Sequence, residues 1–140
     1  LQEMDALFAE ALGESPIEIL RGTDDFLAVF ETEQQIQAMN PDFTKLAKIN
    51  SRGVVISAPG NDVDFVSRCF FPQTGVDEDP VTGSAHTMLI PYWAKQLDKI
   101  EFKAHQLSAR GGVLDCKLIN DRVLISGKSI IYFEGMISII

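Results

Sequence analysis

Apolar residues first recur at helical spacing. Leu1, Met4, Leu7, Phe8, Ala11 and Leu12 share one face, and Gly13 stands where a left-handed residue commonly closes a helix. From Ser15-Pro16 the period changes. Ile17-Glu18-Ile19-Leu20-Arg21 alternates as a strand does, Asp24-Asp25 reads as a turn, and Phe26-Leu27-Ala28-Val29-Phe30 reads as a buried strand. Thr32 followed by Gln35 has capping-box spacing and opens a short helix that ends before Asn40-Pro41. A second short helix is expected from Phe43 to Asn50, then strands at Val54–Ser57 and Val63–Phe71, separated by Pro59-Gly60-Asn61-Asp62.

The stretch Thr82–Leu97 breaks the strand pattern. Ala85–Ala94 carries no side chain charged at neutral pH apart from any protonated His86, and it is apolar nearly all round, so a helix buried on every side is expected. Pro91 removes the hydrogen bond to the Thr87 carbonyl, which predicts a kink or a loosened turn. Strand patterns then return at Glu101–Leu107, Leu114–Ile119, Val123–Ser126 and Ser129–Ile140, with Asn120-Asp121 and Gly127-Lys128 as hairpin turns. The order is helix, strands, one central helix, then many strands. It predicts an α+β fold in which a curved, mostly antiparallel sheet wraps one central apolar helix.

Composition narrows the function. The chain has 140 residues, 46% of them hydrophobic, which suits a single domain with a core of its own. Twelve Lys and Arg against 20 Asp and Glu leave a formal charge of −8, which argues against nucleic-acid phosphate or anionic lipid as the main partner. A small anion stays open, because a local site can be positive on an acidic protein. Cys69 and Cys116 are too few for a disulfide framework, so a reduced, cytoplasmic setting is expected. No membrane span and no signal peptide are expected. The start at Leu1 and the apolar run Met136-Ile137-Ser138-Ile139-Ile140 suggest a piece of a longer chain.

The densest chemistry lies in Gly75-Val76-Asp77-Glu78-Asp79-Pro80-Val81-Thr82-Gly83-Ser84-Ala85, an acidic loop running into the buried helix. Thr82 is placed to cap that helix. The first backbone N–H groups of a helix have no internal partner, and its dipole is positive there. Gly83 lets an anion approach the backbone and Ser84 adds a hydroxyl, so the pattern suits a carboxylate or phosphate held without Lys or Arg. Asp79 would stand beside that anion, an awkward pairing of the kind used for acid–base work. The same composition also makes an ordinary loop and cap. Elsewhere, Gly83-Ser84-Ala85-His86-Thr87 lacks the order of a nucleophile elbow, and His86 reads as a helix residue facing a polar neighbour. Cys69 reads as a core thiol and Asp77 as solvated charge; Arg68 and Arg110 are open to anion binding but read first as structural partners of acidic side chains. Two His and two distant Cys make a zinc site unexpected.

Three blocks resemble the phenazine-biosynthesis isomerase family, the PhzF-like proteins, which share the diaminopimelate epimerase fold. They are Arg68-Cys69-Phe70-Phe71-Pro72 with Gly75 through His86, then Pro91-Tyr92-Trp93, then His105-Gln106-Leu107-Ser108-Ala109-Arg110-Gly111-Gly112 with Val123-Leu124-Ile125-Ser126-Gly127. The resemblance covers residues 1–140 as one domain and is to the C-terminal half of a two-domain protein. It implies cofactor-free isomerisation by proton transfer, as in the phenazine enzyme, where a carboxyl group moves a proton within a dihydro-hydroxyanthranilate-like ring. It places Asp79 as the acid–base or orienting group and Gly83 and Ser84 at the substrate. The family's glutamate, in a Ser-Glu-Thr-like string, and its Gly-His pair belong to the other half; Glu78 and Glu134 stand in no such context. The expected partners are a small carboxylate substrate and the missing N-terminal half, a homodimer being compatible with both. The chain alone is expected to be inactive. The alternative is a non-catalytic small-anion-binding or scaffold protein that kept the fold.

Overall fold

Successive side chains of the central strands enter two different cores. In β2 (Asp25–Val29), Phe26 and Ala28 face one way and Leu27 and Val29 the other. β3 (Gly53–Pro59) and β4 (Phe65–Phe71) repeat this, with Val54, Ile56, Val66 and Phe70 on one face and Val55, Phe65, Cys69 and Phe71 on the other. A strand apolar on both faces needs cover on both. The computed structural model, which describes residues 2–139, supplies it.

The outer face is covered by three helices, α1 (Gln2–Leu12), α2 (Glu33–Ala38) and α3 (Phe43–Leu46). They bury Phe8, Leu12, Ile36 and Leu46 against Phe30, Ile56 and Phe70. Gly13 closes α1 at φ 82°, with its N–H on the Ala9 carbonyl at 2.9 Å. Thr32 and Gln35 form the expected capping box at α2. The inner face holds α4 (Gly83–Leu97). Leu89, Ile90 and Trp93 pack there with Phe65, Phe71 and Phe102. Trp93 stacks on Phe65 at 5.6 Å between centroids and donates its indole N–H to Ser57 Oγ at 3.0 Å. Such an aromatic pair adds about 1 kcal/mol beyond the area it buries.

The remaining strands are β1 (Glu18–Arg21), β5 (Val76–Asp79), β6 (Glu101–Gln106), β7 (Gly112–Ile119) and β8 (Arg122–Ser126). Their order across the sheet is β1-β2-β3-β4-β6-β7-β8, with β5 also on β4. Among the described residues only β2–β3 and β4–β6 are parallel; the other pairings are antiparallel. The helix α4 meets β2 in one wing and β7 and β8 in the other, so the sheet curves around it. The fold is α+β, an open, mostly antiparallel mixed sheet.

One edge of β4 is shared. β6 pairs with Phe65–Ser67, and β5 pairs with Cys69 and Phe71 beyond it. The sheet parts at that point, and α4 is the link from β5 to β6.

Four expectations change. The helix α4 is not buried all round: Ser84, Thr87, Pro91 and Lys95 lie exposed along one stripe, because the sheet covers only part of its circumference. Val76–Asp79, read as a loop because of its charge, is a short strand. Ser129–Ile139 forms no strand, and Gly127-Lys128 makes no hairpin. β-branched and aromatic side chains favour a strand only where an edge exists to pair with; here Ile130, Tyr132 and Ile137 stay more than nine-tenths exposed. Leu1 and Ile140, which the expected first helix and last strand include, lie outside the described residues.

Candidate active site

Asp79 ends β5 opposite Cys69, where β5 and β6 part. The Thr82 hydroxyl donates to Asp79 Oδ2. Gln106, 1% exposed at the end of β6, holds the loop between them from below. Its amide donates to the Asp79 carbonyl at 2.7 Å and to Thr82 Oγ1 at 3.1 Å, and its Oε1 accepts the Thr82 N–H at 2.7 Å. Ser108 Oγ donates to the Pro80 carbonyl at 2.7 Å and accepts the Gly111 N–H at 3.0 Å. Val81 packs onto Gly112 so closely that a Cβ there would stand 2.3 Å from Val81 Cγ2. The Gln106–Gly112 block thus acts as a clamp on the Asp79–Thr82 loop.

The clamp changes how α4 begins. Thr82 occupies the cap position, at φ −115° and ψ 98°, but its hydroxyl is committed to Asp79 and no side chain caps the helix. The first amides, at Gly83 and Ser84, therefore face outward at the positive end of the dipole. A Cβ on Gly83 would meet nothing within 4 Å, and its φ is not positive. Neither packing nor backbone conformation demands glycine at this position. The open space is what close approach of an anion requires.

The helix start was expected to hold an anion without Lys or Arg; an arginine is in fact present. Arg52, just before β3, donates from Nε to Asp25 Oδ1 at 2.9 Å and from Nη2 to Asp25 Oδ2, and Nη2 also reaches Ser84 Oγ at 3.2 Å. Asp25 is 5% exposed, and its carboxylate holds the Arg52 pKa above its ordinary value. Arg52 also lies 5.6 Å over the Phe71 ring. Arg52, Phe71, Thr74, Val76, Asp79, Thr82 and Ser84 line one hollow of about 260 Å³. Of the three residues expected to form the site, Asp79 and Ser84 share this hollow. Gly83 opens on its other side, into a hollow of about 530 Å³ that Arg110 and Lys128 also line.

Of the other candidates, Arg68, Cys69 and His86 are structural. Arg68 makes a two-pronged pair with Glu78 at 2.7 and 3.0 Å and donates to the Ile36 and Met39 carbonyls at the end of α2. Arg110, expected to pair as well, is exposed and makes no ion pair among the described residues. Cys69 is fully buried, and burial pushes its thiol up to about 12, so it is no nucleophile at neutral pH. His86 donates from Nδ1 to the Thr82 carbonyl at 2.8 Å, and burial lowers its pKa, so it stays neutral in the core. Asp77 is exposed. Sequence reasoning missed Arg52 altogether, since it lies 32 residues before Ser84 and no spacing connects them. Gln106 stood within a resembling block, but its clamping role shows only in three dimensions.

The fold is that of a class of α+β proteins, and several relatives of the chain are named isomerases. The phenazine biosynthesis-like protein family, PhzC-PhzF, matches residues 2–135. An uncharacterized isomerase of Pseudomonas aeruginosa is 50% identical over 91% of the chain and 49% of its own length. A PhzF-family crystal structure from Enterococcus faecalis superposes with a TM-score of 0.84 at 43% identity, over 86% of this chain and 46% of that one. A PhzC/PhzF protein structure from Clostridium difficile gives 0.85 at 38% identity, over 95% and 51%. The chain belongs to the PhzC-PhzF family. It spans about half the length of the curated relatives it matches.

Proposed function

We propose that this chain is the C-terminal half of a cofactor-independent isomerase that moves a proton on a small carboxylate-bearing substrate. The observation that carries this reading is the juxtaposition at the start of α4. An oriented carboxylate, Asp79, and an uncapped helix end, Gly83-Ser84, lie on either side of one turn of backbone. The amides of Gly83 and Ser84 hold the substrate carboxylate. Asp79 has one oxygen fixed by Thr82. Its other oxygen accepts no hydrogen bond among the described residues and serves as the acid–base or orienting group.

The reaction needs no net electron transfer. A base takes a proton from carbon, and the electron pair left behind spreads into the conjugated acid. The conjugate acid then returns a proton to a different carbon. Helix dipole and amides stabilise the negative charge as it develops. A second half carrying the complementary glutamate closes over the hollow, excludes water and fixes the geometry. This half-site reading draws on the family resemblance and on the chain's half-length match to its relatives.

The test is a titration of ¹⁵N-labelled chain with benzoate. The Gly83 and Ser84 amides should shift saturably and together. Unmoved Gly83 and Ser84 signals, while amides elsewhere respond, would refute the cradle.

A further inference from the structure

We infer that Arg52 is a positioning residue: it holds the Ser84 hydroxyl so that its proton points to the bound anion. This rests on the cradle reading. A serine hydroxyl next to an anion must donate, yet it is free to turn and accept instead. Here Arg52 Nη2, a pure donor, reaches Ser84 Oγ at 3.2 Å and occupies its lone-pair side. Ser84 Oγ donates to no acceptor among the described residues, so its O–H is left for the hollows that Ser84 and Arg52 line together, one shared with Asp79 and the other with Asp25 and Thr87. A hydroxyl that accepts from a cation is also polarised into a better donor.

Arg52 itself is poorly suited to be the anion's direct partner. Its guanidinium is already neutralised by the two-pronged pair with Asp25, which is 5% exposed. Its backbone N–H is anchored on the Asp24 carbonyl at 2.9 Å. The fork geometry of Arg lets one group serve Asp25 and Ser84 together, whereas a lysine, a single point charge, cannot span both.

The experiment is a double-mutant cycle on benzoate affinity, read from the Gly83 amide. Arg52→Lys keeps a cation beside the buried Asp25, so the chain should fold. A second variant, Asp25→Asn with Arg52→Gln, removes both charges of the pair together. Either variant should weaken benzoate about tenfold when Ser84 is present, the size of one hydrogen bond with a charged partner. With Ser84→Ala the same changes should alter affinity by less than about twofold, the limit of additive behaviour. In the ligand-free chain, Ser84→Ala should move the Arg52 Nη resonances. Equal losses in both backgrounds would show that Arg52 acts on the anion directly or on the fold, and would overturn the inference. So would benzoate binding at Gly83 that ignores Ser84→Ala, a result that leaves the amide cradle standing. No benzoate response at Gly83 in the wild-type chain would overturn the cradle and the Arg52 role together.

Discussion

Gly83 and Gly112 lie near each other around the same loop and are glycine for opposite reasons. A Cβ at Gly83 meets open space, and one at Gly112 meets Val81. Gly112→Ala should therefore lower stability by about 1–3 kcal/mol through overpacking. Gly83→Ala should leave the denaturation midpoint unchanged or slightly raised, since Ala is the better helix former. The same change should weaken binding of a small carboxylate. Paired urea melts and benzoate titrations would check both; a destabilised Gly83→Ala would mean that the space is structural.

His86 sets a pH dependence. Burial holds it below its ordinary value of 6.5. As pH falls through that value the unfolded chain takes up a proton before the native one does, so the unfolded state gains and stability drops. The loss extends down to the native pKa. Carboxylates held low by lysines, Glu10 by Lys45 and Glu101 by Lys117, keep their contribution until pH falls below their ordinary 4.5, a separate window. The urea midpoint should thus fall between about pH 7.5 and 5.5, and His86→Phe should flatten that slope. An unchanged slope would assign it to other groups.

At the level of elements, the site is the place where β5 and β6 part along β4, and Gln106 bridges the parting. Gln106→Ala should cost about 1–3 kcal/mol, because the Thr82 N–H and the Asp79 carbonyl lose their buried partner. Carboxylate binding at Gly83 should weaken beyond that loss, as the helix start would no longer be held. Hydrogen exchange at the Thr82 amide would report the release, and slow exchange in the variant would argue against the clamp.

Elements with local causes were readable in advance. The capping box at α2, the closure of α1 at Gly13 and the run from Asp79 to Ser84 each lie within a few residues of chain. Contacts set by sheet register were not. Arg52 comes to Ser84 because β2 and β3 pair in parallel, Asp25 opposite Gly53, which delivers both Asp25 and Arg52 to the opening of α4. The same limit explains the misread tail. The composition of 129–139 favours a strand, but a strand is made by its neighbour, and no pattern within the segment says whether an edge awaits it.

Across the described residues, several large apolar side chains stand exposed. Ile130, Ile131, Tyr132, Phe133 and Ile137 are each more than four-fifths exposed, and Ile17, Val113 and Leu124 add to them. Large apolar side chains left in water favour association. Such exposure suits a chain that matches about half the length of its relatives, and it predicts that the isolated chain self-associates. Mixing the 140-residue chain with a separately produced N-terminal half of a relative, in D₂O with a dihydro-hydroxyanthranilate-type acid, tests the half-site reading most directly. Deuterium should enter the substrate only in the mixture, and Asp79→Asn should slow that entry by about 10²-fold or more. Exchange by the 140-residue chain alone, at the rate of the mixture, would contradict it.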